Sequence, residues 1–168
     1  MKDRTAAADL LGAARQSPRL SGEHSATAQP LADSGVVFIF PGQGAQWDGM
    51  ARSLYERFLP FRDALDAADA AIQNEAGYSP KALLFADDVA WLGEIDRIQP
   101  ITFAIQVALA TLWRACGIEP TTCIGHSMGE VAAACVCGFL TLPDAARIIC
   151  QRSRLLLRVR GQGAMALV

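Results

Sequence analysis

Apolar residues recur along this chain in two rhythms. Val36-Val37-Phe38-Ile39-Phe40 is an unbroken run of β-branched and aromatic residues, the pattern of a strand buried on both faces of a parallel sheet. It stops at Pro41-Gly42-Gln43-Gly44-Ala45-Gln46-Trp47, where proline ends the ladder and two glycines allow close backbone approach. Residues 48–58 and 60–75 read as helices, the second with Asp63, Asp66 and Asp69 at a spacing that predicts a solvated face. A turn over 77–80, a short segment over 81–85 and a weak helix over 91–95 follow. The next helix is predicted over 101–116, opened by Gln99-Pro100 with proline in its first turn and closed by Gly117. Its Ile101, Ile105, Ala108 and Leu112 fall on one helical stripe. Thr121-Thr122-Cys123-Ile124 is a second β-type run, and residues 131–140 and 143–159 read as helices. In the last of these, Arg147, Arg152, Arg154 and Arg158 alternate with Ala146, Ile149 and Leu156, so spacing alone turns most of the arginines to solvent. Met165–Val168 looks like the start of a strand. Strands alternating with helices predict an α/β fold on a parallel sheet.

Composition narrows the picture. The first 34 residues are rich in Ala, Ser, Gly and Pro and read as a linker or disordered arm, with His24 a solvated loop histidine; the domain proper is expected over 35–168. The chain has 168 residues, 52% hydrophobic and 19% charged, with a net charge of −2. That suits one domain with a real core, carries no basic footprint for nucleic acid, and suggests an apolar surface set against a larger body. Residues 1–30 lack an apolar signal segment, and the stretch 131–142 is too short to span a bilayer, so no membrane is expected and a soluble, cytoplasmic protein is. The five cysteines (Cys116, Cys123, Cys135, Cys137, Cys150) contain no C-x-x-C pair and read as small core residues rather than metal ligands.

The stretch carrying chemistry is Ile124-Gly125-His126-Ser127-Met128-Gly129-Glu130. Glycines two before and two after a serine, between a strand and a helix, form the nucleophile-elbow pattern. Side chains at those two positions would collide across the turn, and the serine is held in a strained conformation. Its hydroxyl then stands over a helix N-terminus, where backbone N–H groups favour a developing oxyanion. The Pro41–Trp47 loop has neither the lysine of a phosphate loop nor a third glycine for a dinucleotide, since Trp47 takes that place. It suits presentation of a backbone N–H and the Gln43 amide to an acyl group. Gly161–Ala166 fits G-x-G-x-x-A but follows a helix, which argues against a dinucleotide site.

Three segments in register point further: Phe38 to Trp47, Gly125 to Glu130, and Gln151-Arg152-Ser153 followed by Gly163-Ala164-Met165, with Gln99-Pro100 between. Together they closely resemble the acyltransferase domain of modular polyketide synthases, in the malonyl-CoA:acyl-carrier-protein transacylase family, over about residues 36–168. The resemblance implies an α/β-hydrolase-like acyltransferase core. Ser127 would be the nucleophile that takes a malonyl-type group from acyl-CoA and passes it to the phosphopantetheine thiol of an acyl carrier protein. The backbone N–H groups of Met128 and Gln43 would form the oxyanion hole. Arg152 would pair bidentately with the free carboxylate of the extender unit. Gln99 would line the pocket, and His126 would stand at the substrate-binding side as a packing and hydrogen-bonding neighbour. No bound cofactor and no metal are implied. Residues 1–34 would be the variable linker that joins a preceding ketosynthase to this domain, and other polyketide synthase domains or the missing C-terminal half would be partners.

The family pairs its serine with a histidine well downstream, and no histidine follows Ser127 here. The small α+β subdomain and the final strands are missing as well. The chain therefore reads as the N-terminal half of the domain: a truncated piece, a split gene product or a remnant, without full activity alone. Two rival readings are an α/β-hydrolase (esterase) fragment, which shares the elbow, and a non-catalytic interaction piece with an exposed apolar docking face.

Overall fold

The computed structural model describes residues 35–159 and 161. The expected arm over 1–34 and the strand start at 165–168 lie outside them. In order come β1 (Val36–Phe40), α1 (Arg52–Arg57), α2 (Leu59–Ala76), α3 (Pro80–Phe85), a 3-10 turn (Ala90–Gly93), α4 (Ile95–Ala115), β2 (Pro120–Gly125), α5 (Gly129–Val136) and α6 (Leu142–Arg158). β1 and β2 pair in parallel, with Phe40 opposite Gly125, so both strands end at the same edge. Those two ends carry the glycine loop and the serine turn.

The core lies between helices. Phe61, Leu65, Ala68 and Ile72 of α2 are buried with Ile101, Phe103, Ala104 and Ala108 of α4 and Ala145, Ala146 and Ile149 of α6. These residues recur at three- and four-residue steps, so each helix turns one apolar stripe inward. Helix starts follow local chemistry: Pro60, Pro80 and Pro143 stand in first turns, Ser79 caps the Ala82 N–H at 3.0 Å, and Thr141 caps that of Asp144 at 3.3 Å. α5 stops at Val136 rather than 140. Gly138 takes a left-handed φ of 79°, and Phe139 N–H donates to the Ala134 carbonyl while Gly138 N–H donates to that of Cys135, a Schellman closure. α1 is delayed to Arg52 because Gly49 and Ala51 hold left-handed turns, φ 78° and 71°.

Four further expectations need correction. α4 does not open at Pro100; it begins at Ile95 and runs through the proline. Proline cannot supply the N–H that the Asp96 carbonyl would receive four residues on. Tyr78 Oη donates to that carbonyl at 2.8 Å instead, so the helix continues. Asp69 is buried, not solvated, and accepts from Ser79 Oγ and the Lys81 N–H at 2.7 Å each. Steps of three rotate about 60° around a helix, so three aspartates so spaced do not share one face. β1 is not buried on both sides: Val36, Val37 and Ile39 are exposed (Ile39 by 70%), and only Phe40 is buried. The cysteines are not uniformly core residues either, since Cys116 and Cys137 are exposed and only Cys150 is buried.

Among the described residues, no helix is long and apolar enough to cross a membrane. None of their histidine, cysteine, aspartate and glutamate side chains group to hold a metal ion.

Candidate active site

Ser127 stands between β2 and α5 with φ 56°, a left-handed conformation costly for a residue with a side chain. The flanking glycines are required by contact. A Cβ on Gly125 would come within 2.7 Å of the Gly129 carbonyl carbon. One on Gly129 would lie 2.7 Å from the Phe40 carbonyl carbon and 2.9 Å from the Pro41 oxygen. The first clash lies across the turn, as the spacing predicts. The second is with the neighbouring strand end, a constraint visible only once the strands are paired. The His126 N–H donates to the Phe40 carbonyl at 3.0 Å and completes the junction of the two strand ends.

Met128 is buried, with 1% exposure, and stands at the head of α5 as its N-cap residue. Neither its N–H nor that of Gln43 donates to any described residue, as an anion-receiving pair requires. Gly42 brings the loop against the elbow: a Cβ there would meet His126 Nδ1 at 3.3 Å and the Ser127 Cβ at 3.8 Å. His126 is exposed and turns its ring toward this loop.

Arg152 comes from α6 and ends at the serine. Its Nη2 donates to Ser127 Oγ at 2.9 Å and its Nη1 to Gln99 Oε1 at 2.5 Å. Gln99, 3% exposed, donates onward from Nε2 to Gln43 Oε1 at 2.9 Å. Ser127, Arg152, Gln99 and Gln43 are thus one hydrogen-bonded chain drawn from four segments. Arg147 is exposed and pairs with Asp144, and Arg154 donates to the Glu75 carbonyl; Arg152 alone of this trio reaches the serine.

Three further side chains hold the glycine loop and escaped the sequence reading. Gln106 Nε2 donates to the Pro41 carbonyl at 2.7 Å, and Gln46 Nε2 donates to Thr102 Oγ1 at 3.0 Å while its Oε1 accepts from the Gly44 N–H at 2.6 Å. Gln99, Thr102 and Gln106 lie at i, i+3 and i+7 on α4, a polar track beside its apolar stripe.

Residues 37–168 match the family model described as the acyl transferase domain. The chain belongs to that family. It is 44% identical over 142 residues to the erythronolide synthase EryA3 of Saccharopolyspora erythraea, covering 83% of this chain and 4% of that one. Its fold superposes with a TM-score of 0.72 on a loading acyltransferase from the avermectin modular polyketide synthase, at 43% identity, covering 76% of this chain and 40% of that one. It is also similar, with a TM-score of 0.66, 28% identity and coverage of 75% and 40%, to a malonyl-transacylase solved in complex with a type II polyketide synthase acyl-carrier protein. The acyl transferase family accounts for the helix-rich α/β core, and the chain spans well under half the length of these relatives.

Proposed function

We propose that this acyl transferase chain carries the acyl-accepting half of a polyketide synthase extender-loading site. Ser127 Oγ attacks the thioester carbonyl of a malonyl- or methylmalonyl-type acyl-CoA; a C–O bond forms, and the carbonyl oxygen, now an oxyanion, sits against the Met128 and Gln43 N–H groups. As the carbonyl reforms, the C–S bond breaks and CoA departs as its thiol with the serine proton. In the second half, the phosphopantetheine thiol of an acyl carrier protein takes the acyl group and the serine regains its proton. Arg152 holds the distal carboxylate of the extender in its planar fork, with Gln99 fixing the fork and lining the pocket. His126, on the substrate side, packs beside the loop. No metal or bound cofactor enters this scheme.

One observation carries the reading: the Arg152 guanidinium lies within hydrogen-bond distance of Ser127 Oγ and is anchored on its other arm by buried Gln99. An esterase of neutral substrates has no use for a cation there. The guanidinium is a donor and does not accept the serine proton; among the described residues no base is hydrogen-bonded to Ser127 Oγ, and loading without one is slow. Incubation with malonyl-CoA and intact-mass analysis tests the assignment. An adduct is expected on the native chain and none on Ser127→Ala; an adduct that survives the substitution defeats the nucleophile role. Preference for a simple aryl ester over malonyl-CoA defeats the transferase reading in favour of a hydrolase.

A second reading, a chain that works as one part of a larger acyltransferase body with neighbouring synthase domains, is favoured by the open apolar sheet. Val36, Val37 and Ile39 are exposed beside Ile124, itself exposed by 52%. Strong binding of a hydrophobic dye is expected from this face, and a dye-negative monomer counts against it.

A further inference from the structure

We propose that Gln106 is a positioning residue for acyl transfer, fixing the Pro41 carbonyl and with it the entry of the loop that carries the Gln43 N–H. The inference rests on the oxyanion role given to that N–H above. Pro41, Gln43, Gly44 and Ala45 are exposed, and Gly42 and Gly44 leave the loop torsions soft. Local structure therefore does little to fix the loop, and α4 supplies the tethers. Gln99 and Thr102 grip side chains of the loop, Gln43 and Gln46. Gln106 grips the main chain itself, at Pro41 O. That same carbonyl lies against Gly129, so the amide registers the loop to the serine turn as well as to α4.

The other end of Gln106 shows what the amide is for. Its side chain is buried, with 7% residue exposure, and its Oε1 has no hydrogen-bond partner among the described residues. A buried acceptor without a donor destabilises the fold, whereas a methionine of similar length fills the space with no such atom. Retaining glutamine offers packing nothing; it offers the Pro41 carbonyl a donor. Stability and loop order should therefore part company on substitution.

The test compares the full chain with Gln106→Met and Gln106→Glu by amide hydrogen exchange, thermal melting and malonyl adduct formation. In Gln106→Met, exchange of the 42–47 amides is expected to quicken about fivefold, the effect of one ordinary hydrogen bond, with the melting temperature unchanged or higher. In single-turnover loading, the maximal rate falls by a similar factor and the half-saturating malonyl-CoA concentration stays put. Gln106→Glu donates only while its carboxyl is protonated, so its loop protection, corrected for intrinsic exchange, is expected to fall as pH rises; it decides the matter should the methionine variant misfold. Unchanged loop exchange in both variants overturns the proposal, as does a raised half-saturation with an intact maximal rate. A native chain that forms no adduct defeats the nucleophile reading instead, and exchange still decides whether Gln106 orders the loop.

Discussion

Replacing Arg152 with alanine separates a carboxylate clamp from a merely structural arginine. The side chain is half-buried and spends both arms in the site, Nη2 on Ser127 Oγ and Nη1 on Gln99 Oε1. On the proposed reading, the fork faces the extender carboxylate in the loaded state, and the hydrogen bonds become charge-assisted on both sides. Such bonds contribute about 1.5–3 kcal/mol each when shielded. Discounted for the open side of the site, the pair stabilises a malonyl group by about 2–3 kcal/mol. At about 1.4 kcal/mol per factor of ten, Arg152→Ala should slow malonyl loading roughly 30- to 150-fold. Acetyl loading, with no carboxylate to hold, should change less than about threefold on the same reasoning. Arg152→Lys keeps the charge without the fork and is expected to fall between. The assay is the initial rate of adduct formation at Ser127, by intact mass, with malonyl-CoA and acetyl-CoA in parallel. Equal losses for both acyl groups refute the clamp; Arg152 would then serve only to hold the serine and Gln99 in place.

Three other predictions concern the scaffold. Gly129→Ala drives a methyl into the Phe40–Pro41 backbone, at 2.7 and 2.9 Å from its atoms, and should cost about 3 kcal/mol and about 10 °C in melting temperature. Gly93→Ala, with nothing within 4 Å of its Cβ position, should be neutral within about 0.5 kcal/mol, and equal effects would refute the contact argument. Tyr78→Phe removes the donor to the Asp96 carbonyl and should cost about 1–2 kcal/mol; in a Pro100→Ala background, which restores an N–H for that carbonyl, the cost should shrink, and strict additivity in a denaturant double-mutant cycle would refute the pairing. Burial pushes the Cys150 thiol up to about 11 from an ordinary 9.0; between those values the unfolded chain has lost a proton the folded one keeps, so stability falls as pH rises from 9 to 11, by about 2 kcal/mol at the top of the window. Burial also raises the Cys123 and Cys135 thiols, so Cys150→Ala should lessen the slope of the urea-measured stability profile without abolishing it, and an unchanged slope would refute the linkage.

What the sequence disclosed divides by the distance over which each feature is decided. The serine turn is local: two glycines, a strand before and a helix after specify it, and the backbone follows the pattern down to the left-handed φ at Ser127. The apolar stripe of α4 was equally legible, because Ile101, Ile105 and Ala108 bury the face their spacing defines. The start of α4 was not. A proline is read as a first-turn residue unless something else satisfies the carbonyl it strands, and that something, Tyr78, lies 18 residues from Asp96. Likewise, five apolar residues in β1 predict burial on two faces, but burial also depends on what packs there, and nothing described covers Ile39. Arg152 is the sharpest case. By spacing it is one of four arginines on α6; only the resemblance to acyltransferases singled it out, and only the fold brings it to a serine 25 residues away. The polar track on α4 carries the same lesson one step further. Gln99, Thr102 and Gln106 have a helical period open to anyone reading the chain, yet a period names a face and not its partner. Their partners lie 56 and 65 residues upstream, in a glycine loop whose torsions nothing nearby dictates. The site is thus a local turn, fixed by its own sequence, set against a loop held by α4. The residues that decide its geometry are those whose meaning depends on that distant contact.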